Sequence, residues 1–108
     1  MKISATAVLL LGVAGALLST PSRAADDGAT LYQTKCAACH GVDGAGNPAA
    51  RVPSLISEDA RTKSDESLTD SIANGGAAKK AAHAFQAKGL SPDHVKMILS
   101  YIRKMQRR

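Results

Sequence analysis

With 108 residues, 14 Lys and Arg against 9 Asp and Glu, and a formal charge of +5, the chain has the length of one small domain. One Phe, two Tyr and no Trp leave few large side chains to fill an interior, so an apolar core of this size needs a staple. The modest positive surplus is the only feature in favour of nucleic-acid binding, and no motif joins it.

The first residues read as a secretory signal. Lys2 supplies a positive start, residues 5–18 are uncharged and mostly apolar, and Ser22-Arg23-Ala24 places small residues at the cleavage positions. Fourteen such residues fall short of the ~20 that span a bilayer, so residues 1–24 are expected to be removed instead of anchoring the chain. The expected product is one exported, periplasmic domain, residues 25–108, with no stable membrane insertion. Losing Lys2 and Arg23 leaves 12 basic residues against 9 acidic, a charge of +3.

Asp26 or Asp27 can cap a first helix, predicted from about Gly28 into the motif that follows, with Leu31 and Lys35 neighbours on one face. Gly28 weakens that helix, so it either belongs to the start signal or admits a close backbone. Next comes Cys36-Ala37-Ala38-Cys39-His40. On one helical turn two sulfurs three positions apart share a face, where they can add to the two vinyl groups of one porphyrin. His40 then falls under the iron as proximal ligand.

Two other chemistries share the C-x-x-C spacing. Zinc wants four ligands, and two Cys with three scattered His offer no second C-x-x-C or H-x₃₋₅-H pair. A redox dithiol wants a βαβ setting, which is absent from the pattern. The motif therefore predicts one covalently attached haem c with its iron, and the porphyrin can serve as the missing staple. Its two propionates would lower the charge to about +1.

Gly41, Gly44, Gly46, Asn47 and Pro48 end the helix in a long irregular stretch punctuated by Pro53 and Leu55. A short helical turn is predicted at 58–61. A clearer helix starts with Ser64 as N-cap, carries Asp65 and Glu66 in its first turn, buries Leu68 and Ile72, and stops at Gly75-Gly76. Residues 77–88 read mostly as loop. The last helix has Ser91 as cap and Pro92 at its first position, runs to about Met105, and lines Val95, Ile98, Leu99, Ile102 and Met105 along one face. Arg103, Lys104, Arg107 and Arg108 cluster at its end, either as a solvated helix terminus or as a docking patch for an acidic redox partner.

The order of these elements resembles a class I monohaem c-type cytochrome over the whole of residues 25–108. The likeness rests on C-A-A-C-H-G, on Gly28 and Tyr32, on Pro53-Ser54-Leu55, on Leu68, Ile72 and Gly75, and on Leu99, Tyr101, Ile102 and Arg103. It implies an all-α small cytochrome c fold, three main helices plus long loops wrapped round one covalently attached haem. It further implies that the first and last helices cross where Gly28 meets the Tyr101 region. By the same resemblance the Pro53 carbonyl accepts a hydrogen bond from the proximal imidazole, which fixes its tautomer and raises its basicity. Arg51 would then neutralise a propionate, or else be a solvated loop arginine.

The departure from the family pattern is at the sixth iron ligand. Relatives carry a Met in the loop before the last helix, whereas this chain reads Lys80-Ala81-Ala82-His83-Ala84-Phe85. His83 is the expected substitute, being a strong ligand when neutral. Met97 and Met105 lie in the final helix, where packing is the ordinary use of a Met, and His94 lies at that helix's surface start. An open sixth position is the remaining alternative.

Two functions follow. One is a monomeric electron carrier, not an enzyme, passing electrons to donor and acceptor proteins by transient contact. Its potential would be low, because imidazole favours ferrous iron less than a thioether does. The other is a haem protein whose open site binds or reduces a small molecule.

Overall fold

The computed structural model describes residues 23–108, and a crossing of the first and last helices sets its framework. In chain order the helices are α1 (Arg23–Lys35), α2 (Ala37–His40), α3 (Glu58–Thr62), α4 (Asp65–Asn74) and α5 (Pro92–Gln106), with a 3₁₀ turn at Pro48–Ala50. Among the described residues no strand occurs, and one isolated bridge pairs Asn47 with Val52. This is the all-α fold expected, with α1, α4 and α5 as its long members. The expected leader, residues 1–24, lies outside the described residues except for its last two.

Local chemistry explains the helix limits. Ser91 Oγ accepts from the His94 backbone N–H at 3.1 Å while His94 Nδ1 accepts from the Ser91 N–H at 3.4 Å, so two orphan donors are satisfied reciprocally. His94 is thus an exposed capping residue. Pro92 fits the first turn, where its missing N–H costs nothing. Ser64 caps α4 through Ser67 at 3.1 Å, and Gly75 ends it.

Two boundaries differ from expectation. α1 begins at Arg23, five residues before Gly28: Ala24 and Ala25 favour helix, so Asp26 and Asp27 lie inside the helix near its positive pole instead of capping it. The chain also departs from regular helix at Cys36 (φ −121°, ψ −33°). Cys36 N–H still bonds Tyr32 O at 2.8 Å and His40 N–H bonds Cys36 O at 2.9 Å, so the turn carrying both thiols stays helical in register.

Val95, Ile98, Leu99, Ile102 and Met105 are all buried on one face of α5. Tyr32, Val95 and Ile98 are the largest fully buried side chains, each contributing about 1.5–3 kcal/mol by leaving water. Where α1 crosses α5, a Cβ on Gly28 would lie 2.3 Å from the Met97 carbonyl oxygen and 3.3 Å from Tyr101 Cβ. Only a glycine lets the two backbones meet there. Beside it the Tyr32 and Tyr101 rings pack at 5.3 Å and 48°.

The basic cluster at the end of α5 is not uniform. Lys104, Arg107 and Arg108 are exposed, but Arg103 is only 20 % exposed and pairs with Asp65 at 2.8 Å. Arg103 is a tertiary tie and leaves the solvated set, because its long stem reaches across to the α3–α4 connection.

Candidate haem site

The turn formed by α2 ends at His40, which is buried at 7 % exposure. Its Nδ1 lies 3.1 Å from the Pro53 carbonyl oxygen. A carbonyl can only accept, so Nδ1 carries the proton and Nε2 keeps its lone pair for a metal. Burial holds the His40 pKa below the usual histidine value, partly opposed by the Pro53 hydrogen bond, which favours the neutral ring that a metal ligand would need.

The surrounding loop is built to present that carbonyl. Gly46 N–H bonds His40 O at 2.7 Å, and Leu55 N–H bonds Gly44 O at 2.7 Å. Gly46 has φ +79°, and a Cβ there would come within 2.6 Å of Val52 O and 2.7 Å of Pro53 O. The close approach of residues 46 and 53 that aims the carbonyl therefore needs a glycine. Tyr32 OH donates to Gly41 O at 2.7 Å, pinning the chain just beyond His40. Burial pushes the Tyr32 hydroxyl up to about 12.

His83 comes from the turn-rich segment 77–90. That segment is tied to the end of α4 by backbone bonds, Lys80 N–H to Gly75 O at 3.1 Å, Phe85 N–H to Ile72 O at 3.1 Å and Gln86 N–H to Ala73 O at 3.1 Å. The His83 and His40 ring centroids are 5.9 Å apart with planes 20° apart. Burial, followed by the coupling to His40 and the cations Lys80 and Lys88, holds the His83 pKa below normal, which favours the neutral ring here too.

Cys36, Cys39, His40, His83, Pro53 and Arg51 all line one cavity of about 230 Å³, whose remaining walls include Leu55, Leu68, Ile72, Phe85 and Ile102. A neighbouring hollow of about 300 Å³ shares His40, Pro53, Leu55, Leu68, Lys80 and His83 and extends the cleft toward Asp59 and Lys63. Both thiols are free, Cys36 half-buried and Cys39 exposed. Burial and the adjacent Cys39 push the Cys36 thiol up to about 11. Met97 and Met105 are not among the lining residues; Met105 is core and the Met97 carbonyl abuts Gly28. Arg51, in the left-handed region at φ 58°, is exposed at the cavity rim. Among the described residues its guanidinium makes no hydrogen bond.

These residues fit a haem. The His40 and His83 rings reach the same cavity with centroids 5.9 Å apart, near enough that both could serve a metal held between them. Among the described residues no group of three His, Cys, Asp or Glu side chains could hold a metal ion by itself. The apolar walls suit porphyrin faces, the two thiols suit its vinyl groups, and Lys35, Arg51 and Lys80 on the lining suit its carboxylates.

A family model described as "Cytochrome C oxidase, cbb3-type, subunit III" matches residues 23–102. The chain belongs to this family. It is a class I c-type cytochrome, a haem-binding protein of electron transfer. No curated protein and no solved structure matches it. In this cytochrome, sequence reasoning missed Tyr32 as a backbone anchor, Lys80 at the cavity, and the pair Arg103 and Gln106. The last had a signal in the periodicity: Gln106 stands four residues after Ile102, on the apolar stripe of α5.

Proposed function

We propose that this cytochrome is an exported, monomeric electron carrier holding one covalent haem c, with His40 as proximal and His83 as distal iron ligand. Cleavage after Ala24 would release residues 25–108 into the periplasm. No helix among the described residues is long and apolar enough to cross a membrane. The reading makes the protein a carrier and not an enzyme, and its donor and acceptor proteins dock transiently.

When bound, the haem supplies a one-electron ferric/ferrous couple. Cys36 and Cys39 are the residues that would hold the cofactor, each by adding its S–H across one vinyl group. His40 Nε2 would be the ligand atom while its Nδ1–H stays on the Pro53 carbonyl, a bond that would increase the ring's donation. Arg51 at the rim neutralises a propionate. His83 would take the place that the family pattern gives to a thioether, which would set the potential low and close the iron to small molecules.

The observation that carries this reading is the pair of imidazoles 5.9 Å apart in the cavity that both thiols line. Absorbance spectra of haem-loaded wild type beside His83→Ala test it. We expect low-spin bands without a sulfur-to-iron charge-transfer band in wild type, and a high-spin ferric spectrum with rapid carbon monoxide binding in the variant. A high-spin wild type would identify the open-site alternative instead, and an unchanged variant would remove His83 from the iron.

A further inference from the structure

Packing alone does not explain the last residue of α5. Gln106 is 8 % exposed on a stripe where a Leu would fill similar volume without taking an amide out of water. Both ends of the amide are occupied. Its Nε2 donates to the Leu55 carbonyl at 2.8 Å, and its Oε1 accepts from Arg103 Nη1 at 2.8 Å. Arg103 in turn donates to Lys63 O at 2.6 Å, Asp65 Oδ1 at 2.9 Å and Arg61 O at 3.4 Å.

Leu55 lies two residues beyond Pro53, the acceptor for His40. Its N–H is held by Gly44 at 2.7 Å, and Ser54 Oγ donates to the same carbonyl at 3.4 Å. The Leu55 residue is therefore gripped on one side by the loop that follows the thiols and on the other by α5. Turning the Pro53 carbonyl away from His40 strains one grip or the other, and a buried polar group stripped of its partner is costly.

We propose that Gln106, itself oriented by Arg103, is a positioning residue for the proximal ligand: by fixing the Leu55 carbonyl it aims the Pro53 carbonyl at His40 Nδ1 and so tunes the haem iron. The inference rests on the reading of His40 as that ligand. A firm Nδ1–H···O bond makes the imidazole a stronger donor and favours ferric iron, so loosening the grip raises the reduction potential. Arg103 reaches the α3–α4 connection with the same guanidinium, which couples that connection to the iron.

The test uses haem-loaded wild type, Gln106→Leu, Gln106→Glu and Leu99→Ala. Leucine removes both hydrogen bonds, glutamate keeps an acceptor for Arg103 but loses the donor to Leu55, and Leu99 is buried on α5 outside the network. The readouts are reduction potential, exchange of the His40 Nδ1 proton by nuclear magnetic resonance, and thermal midpoint. Both Gln106 variants should shift the potential upward and exchange that proton roughly tenfold faster, the scale of one buried hydrogen bond, whereas Leu99→Ala should lower the midpoint and leave the other two readouts in place. Gln106 variants that retain wild-type potential and exchange, or that differ from Leu99→Ala only in degree, overturn the positioning role and leave the carrier reading intact. A wild type that binds no haem overturns both.

Discussion

His40 and His83 reach one cavity from two differently built walls. Around His40 nearly every neighbouring peptide group has a partner drawn from another segment: Pro53 on its ring, Gly46 on its carbonyl, Tyr32 on the next carbonyl. Around His83 the segment 77–90 is a run of turns with exposed alanines. It is tied to α4 by its backbone, and among the described residues no side-chain hydrogen bond fixes the His83 ring. The His40 imidazole is thus preorganised by the fold, while that of His83 is placed by a loop that can accept another residue without disturbing the core. That asymmetry fits the proposal that His83 serves where a methionine would otherwise stand.

If the contrast is right, changes on the proximal wall should cost far more than changes on the distal one. His40→Ala should give essentially no haem-loaded protein, read as absorbance per polypeptide after maturation. Gly46→Ala should lower stability by about 3 kcal/mol, from a strained positive φ and a Cβ pressed on the Pro53 carbonyl, measured as a shift of the denaturant midpoint at constant m. Tyr32→Phe strips a buried carbonyl of its donor and should cost about 1–2 kcal/mol.

Tyr32 also gives a pH signature. Its hydroxyl has a higher pKa folded, about 12, than the ordinary 10.0, so folding favours the neutral form. That contribution is full below pH 10.0 and is lost as pH rises toward 12. Alkaline titration should therefore unfold wild type more steeply than Tyr32→Phe. On the distal wall, Lys88→Ala removes a cation–π contact to Phe85 at 5.1 Å and a bond to Ala82 O at 3.2 Å, and should cost only about 0.5 kcal/mol. A Lys88→Ala penalty equal to that of Tyr32→Phe would erase the distinction between the walls.

The same two walls were unequally legible. The thiols, His40 and the caps of α4 and α5 could be read directly, because each is a local pattern: a spacing, a Ser before acidic residues, a Ser-Pro start. His83 stood out because its loop lacks a methionine, and Pro53 through the family likeness. The α1 start was misplaced because two aspartates look like a cap, while Ala24 and Ala25 before them extend the helix. Gln106 and Arg103 were not legible as partners, since their bonds cross 51 and 40 residues and nothing local announces where a carbonyl in an irregular loop will point.

The crossing at Gly28 has a consequence for assembly. Because α1 closes against α5, any chain that emerges amino terminus first shows both cysteines while the helix that completes the core is still to come. Docking of α5 on α1 is then the step that completes the core, so the order in which the chain appears sets the order in which its interior forms.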